Sequence, residues 1–153
     1  MKTIMFLLLA SFAMVSCNKS EDAKPDPPLT SPGMIAKLDG SLVTFGTPTV
    51  EKQVSTDGTE TIFVAAYTGD GASIEISLSK PGGITPDEYD AANAAHIGIS
   101  SGSDYFSTNK IVNITITSID ANHVVGTFMG EANNITSGGV PKSVTAGKFY
   151  VNF

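Results

Sequence analysis

A turn device that recurs between short alternating runs narrows what this chain can fold into more than any other feature. Asp39-Gly40 separates apolar runs at residues 34–38 and 41–45, Asp57-Gly58 separates 50–55 from 59–67, and Gly69-Asp70-Gly71 precedes 72–79. An Asp-Gly pair in that setting marks a β-hairpin, because a type I′ turn needs positive φ at both central residues. Between the turns the apolar period is two. Ile74, Ile76 and Leu78 alternate with Glu75, Ser77 and Ser79, and Val112, Ile114 and Ile116 alternate with Asn113, Thr115 and Thr117. Each run is a strand with one buried and one wet face. In 124–131, Gly126, Phe128 and Gly130 share a phase, so the glycines leave room for an aromatic from a neighbouring strand. Phe149, Val151 and Phe153 share a face at the end of the chain, which places the last strand inside a sheet.

Residues 84–109 are the ambiguous stretch. Thr85-Pro86-Asp87-Glu88 matches a helix capping box with proline at the first helical position, and alanines follow. The apolar stripe is too thin to hold more than one or two turns, since short helices are marginal unless packed. Strands are expected at 96–100 and 105–107, with a loop at 100–103, and further loops at 118–122 and 132–142. The expectation is an all-β chain: an antiparallel β-sandwich or partly open barrel of about nine strands, with at most a short helix near 86–93. A parallel sheet would need crossover helices that the pattern lacks. Residues 34–153 read as a single domain, long enough to bury a core without staples.

The amino terminus has a different character. Lys2 precedes an apolar run over 4–15, about twelve residues, where a membrane span needs about twenty. Its length and flanks are those of a signal-peptide core, so 1–16 is expected to be a signal peptide. The run ends in Met14-Val15-Ser16-Cys17, which resembles a bacterial lipobox with Met14 at the place usually held by Leu. That resemblance implies cleavage after Ser16 and lipid on Cys17, the only cysteine in the chain. Buried acyl methylenes contribute about 0.8 kcal/mol each, and two or more chains anchor a protein stably. Residues 17–33 then read as the lipidated cysteine followed by a proline-rich tether, Lys24-Pro25-Asp26-Pro27-Pro28 being extended and poor in anything to bury.

Nine lysines and no arginine stand against fifteen Asp and Glu, a formal net charge of −6. Nucleic-acid binding needs a basic face and guanidinium forks, so that class is excluded. A zinc site needs three or four clustered ligands, whereas His96 and His123 lie on different expected elements and Cys17 is expected to carry lipid. No Gly-x-Ser-x-Gly elbow is present. No metal site, cofactor or catalytic set is therefore assigned. Three weaker ideas stay open. Carboxylates in 87–90 could serve glycoside chemistry, given the right separation in a cleft. Asp70, or Asp87 and Asp90 with Asn93, could offer oxygens to calcium. Tyr89 and Tyr105, in the irregular stretch, could form a glycan platform in a chain without tryptophan. The candidate ligand contacts are thus Tyr89, Tyr105, Asp87 and Asp90.

The lipobox, the Asp39-Gly40 hairpin, the run ITITSID-ANHVVGTFMG and the closing AGKFYVNF together resemble small β-rich lipoproteins of Bacteroidetes-type bacteria, grouped as domains of unknown function. The resemblance implies a fold and a location and supplies no catalytic residues. Lys19-Ser20-Glu21-Asp22 looks like the acidic export tag of surface lipoproteins, so the outer membrane is expected, with the cell surface favoured over the periplasmic face. The expected role is non-enzymatic: binding, or cell-envelope structure, with the membrane and a glycan or envelope protein as partners. The alternatives are a glycan-binding or glycan-hydrolysing surface protein using 85–109, and a calcium-dependent adhesive module.

Overall fold

A computed structural model describes residues 29–153; the expected signal peptide, Cys17 and most of the tether lie outside the described residues. The chain forms β1 (Gly33–Leu38), β2 (Ser41–Phe45), β3 (Thr49–Val54), β4 (Thr59–Tyr67) and β5 (Ser73–Pro81). A short β6 (Asp87–Asp90) and one 3-10 turn (Ala91–Asn93) follow, then β7 (His96–Ser101). Three long strands complete it: β8 (Asp104–Ile119), β9 (His123–Asn134) and β10 (Lys142–Asn152).

All pairings are antiparallel, and the spatial order is β2-β1-β10-β9-β8-β7-β5-β4-β3, with β6 pairing β8 beyond the end of β7. Apart from the detour through β6, neighbours in the sheet are neighbours in the chain, and β10 returns to pair with β1. Such a sheet curls on itself into a half-closed barrel, open between β2 and β3. The expected all-β, partly open architecture is what the chain adopts. The two edges are blunted: β2 has five residues, and β3 turns Lys52 to the side of the buried Ile62, where it pairs with Glu60 at 3.0 Å.

The first turn is as expected, with φ of 50° at Asp39 and 82° at Gly40. The turns at Asp57-Gly58 and Asp70-Gly71 are a different solution, because only their glycines have positive φ. In both, the glycine N–H bonds the carbonyl three residues back, Gly58 to Ser55 at 3.0 Å and Gly71 to Thr68 at 3.1 Å. That is the longer hairpin loop, in which an ordinary turn is followed by one left-handed glycine.

Residues 85–90 contain no helix; the Thr85–Glu88 capping pattern does not cap. Extended backbone at β6 lets Tyr89 point inward, where it is 1% exposed, and its hydroxyl donates to the Thr85 carbonyl at 2.7 Å. The helical element is the single 3-10 turn after it, capped by Asp90, whose carboxylate accepts from the Ala92 N–H at 2.9 Å. The two strands expected at 105–107 and 112–116 are one. A register break between Thr108 and Val112 bends β8, and the buried Thr108 hydroxyl accepts the Ile97 N–H at 2.9 Å.

The alternating residues fill the inside. Ile74, Ile76, Leu78, Ile114 and Ile116 are at most 1% exposed, as are Phe149 and Val151. Of the two glycines of β9, Gly126 makes room for a ring as its phase predicts, whereas Gly130 does not. A Cβ at Gly130 would meet the Ile111 carbonyl and the Thr108 and Ile97 side chains. Gly147 of β10 makes room for a second ring. A Cβ at Gly126 would lie 2.7 Å from Phe149, and one at Gly147 would lie 2.5 Å from Phe128. Phe128 and Phe149 meet with centroids 6.3 Å apart and planes tilted by 39°. Phe153, placed inside by the pattern, is 46% exposed because the strand ends at Asn152.

Candidate functional site

The outer face carries two distinct constellations, and the strand register builds both. Across β1, β10, β9, β8 and β6 the register aligns Ile35, Lys148, Thr127, Thr115 and Glu88 in one row. In the adjoining row Met129 faces Asn113, and Asn113 faces Asp90. Between Val144 and Gly147 the β10 register slips, and Ala146 adopts φ 49°. A bulge of this kind bends its strand and leaves one residue out of the ladder. The result is a groove of about 580 Å³ lined by Glu88, Asn113, Thr115, Thr127, Met129 and Lys148, with Phe128, Ala146 and Gly147 completing its walls. Lys148 is 9% exposed, whereas Met129 is 56% exposed. The Thr115 hydroxyl donates to the Asn113 side-chain oxygen at 3.2 Å. The arrangement offers a recessed cation, two hydroxyls, an amide, a thioether and a carboxylate, which can hold a polar ligand with an apolar flank.

The second constellation lies over β5, β7 and β8. Gly98 has no side chain, and Glu75 and Tyr105 close over it; a Cβ there would come within 2.7 Å of the Glu75 side-chain carbon Cγ. The Tyr105 hydroxyl donates to the Glu75 carboxylate. Burial, then the hydrogen bond and charge of Glu75, push the Tyr105 phenol up to about 12. Beside it, His96 Nε2 and Ser107 Oγ are 2.7 Å apart. That pair resembles a nucleophile and its base only in part, because a working triad also orients the imidazole with a carboxylate, and Glu75 holds Tyr105.

The four residues singled out from sequence do not converge. Tyr89 is a core ring, with the Lys80 ammonium 5.5 Å from its centroid. Asp87 is exposed and lies 3.3 Å from Lys80 Nζ. The Glu88 N–H, and secondarily Lys80, hold its carboxyl below the usual range. Asp90 caps the 3-10 turn. Tyr105 covers Gly98. In extended β6, neighbouring side chains point to opposite faces, so Asp87 and Glu88 do not form a facing pair. Asp70 sits in its hairpin loop with the Thr68 hydroxyl bonded to it, and that bond first of all lowers its pKa. Among the described residues no three His, Cys, Asp or Glu side chains gather as metal ligands, and no helix is long and apolar enough to cross a membrane.

Sequence reasoning missed Lys148, Thr127, Thr115, Asn113 and Met129. Their outward phase was readable. Their convergence depends on pairings between residues far apart in the chain. No protein family, curated protein or solved structure matches the chain.

Proposed function

We propose that this chain is a lipid-anchored envelope protein whose β-domain acts as a non-enzymatic binding module. The observation that carries the reading is the position of Cys17, the sole cysteine, directly after the apolar run 4–15 and ahead of an acidic, proline-rich segment. A thioether-linked diacylglycerol there, with an acylated amino terminus, supplies enough buried methylenes for stable anchoring. The outer membrane is the proposed site, with the domain facing the cell exterior, in a bacterium of the Bacteroidetes type. Support for binding comes from the groove over β8, β9 and β10, whose volume falls within the range of small-ligand sites.

The test is fractionation with lipid labelling. Wild type expressed in such a bacterium should incorporate labelled palmitate and pellet with envelopes, and Cys17→Ser should do neither. A serine variant that still pellets as the parent does would overturn the anchoring. Protease added to intact cells should then degrade the domain; full protection would move it to the periplasmic face.

A further inference from the structure

We propose that the groove over β8, β9 and β10 is a site for a short extended peptide with free termini, its carboxylate toward Lys148 and its amino end toward Glu88. The inference rests on the reading of the domain as a binding module and names the ligand class. Its basis is the cross-strand row. Lys148, Thr127, Thr115 and Glu88 occupy successive strands β10, β9, β8 and β6 in register. Three ladder spacings separate the ends of that row, roughly 14 Å. An extended chain of four residues covers about 13 Å. Residues of opposite charge therefore stand at the two ends of a row whose backbone span matches a tetrapeptide.

The middle of the row suits the middle of such a ligand. Thr127 and Thr115 present hydroxyls, and Asn113 a carboxamide, which can donate to and accept from peptide groups. Ala146 stands in neither the β1 nor the β9 register, so the bulge sets it apart from the regular pairing at the edge of the groove. Met129 forms one flank, and an unbranched thioether accommodates varied side chains. The site thus reads termini and length, with little discrimination among side chains.

The experiment titrates the purified full chain in detergent micelles with tetra-alanine, its N-acetyl form and its C-amide form. Calorimetry gives affinity, and methyl NMR of Met129, Thr115 and Thr127 gives location. Tetra-alanine should shift those methyls, and blocking either terminus should weaken binding about tenfold. Glu88→Gln should abolish the discrimination against the acetylated form while leaving that against the amide. Lys148→Met should do the reverse. Equal binding of free and blocked peptides, or unshifted groove methyls, would overturn the proposal. Chito-oligosaccharide shifting the same methyls in place of peptide would overturn the ligand class and leave the binding-module reading intact. Cys17→Ser protein should bind tetra-alanine as wild type does, so a failure of anchoring is read separately.

Discussion

The two outer-face regions use glycine and aromatic rings in opposite ways. Over β5, β7 and β8 the glycine is Gly98, its open side faces out, and Tyr105 lies across it on the outside. Over β8, β9 and β10 the glycines are Gly126 and Gly147, their open sides face in, and Phe149 and Phe128 cross them in the core. At these three positions an aromatic fills the side of the sheet that the missing side chain vacates, whereas at Gly130 of β9 the Thr108 and Ile97 side chains do so. In the first region the ring seals the surface. In the second the bulk goes inside, and the outside is left with threonine, asparagine and a recessed lysine around a hollow. The side on which glycine is spent decides whether a patch of sheet is closed or can receive something.

The largest effect that tests this contrast is removal of an inner ring. Phe128 is 3% exposed and lies against Gly147 and Phe149. Phe128→Ala should cost about 3–5 kcal/mol in denaturant unfolding. A neutral result would mean that the ring does not fill the inside of the sheet, and the contrast between the two regions would vanish.

The next effect compares the glycines directly. A methyl at Gly126 meets the Thr115 carbonyl and the Phe149 ring, both held in place by ladder and core. A methyl at Gly98 meets the Glu75 side chain from Cγ outward and the Tyr105 hydroxyl, both on the solvent side of the sheet where side chains can turn away. Gly126→Ala should therefore cost about 1–3 kcal/mol as overpacking, and Gly98→Ala less than half of that. Equal costs would show that the outer seal is as rigid as the core.

How much of this was legible before the fold was known follows from the range of each interaction. The inward phase of Ile74, Ile76, Leu78 and Ile114 was readable, because a period of two is a property of neighbouring residues. So was the room that Gly126 makes for a ring. Residues 85–90 were not. Thr85, Pro86, Asp87 and Glu88 favour a helix start locally, and the placing of Tyr89 in the core against β8 outweighs that preference. The two later Asp-Gly sites gave hairpins of a different turn type, since dipeptide identity does not set loop length. The groove was illegible for a stronger reason. Its row joins residues 88, 115, 127 and 148 through three strand pairings and a bulge, and no local pattern encodes a register between distant segments.

The smallest predicted effect concerns the outer seal. Tyr105 donates to Glu75, and its phenol is raised from 10.0 to about 12, mainly by burial and then by Glu75. A raised folded-state pKa favours the neutral phenol, so its stabilisation is fully present below pH 10. It is lost as pH rises from 10 toward 12, where the unfolded chain ionises and the folded one does not. Stability measured by denaturant across that window should fall more steeply in wild type than in Tyr105→Phe, and phenolate absorbance should show one tyrosine titrating late. Glu75→Gln removes the charge but keeps an acceptor, so it should lower the Tyr105 pKa while retaining part of the shift. Parallel pH curves for wild type and Tyr105→Phe would mean that solvent reaches the hydroxyl freely. Gly98 would then lie uncovered, and the two faces would differ in shape but not in closure.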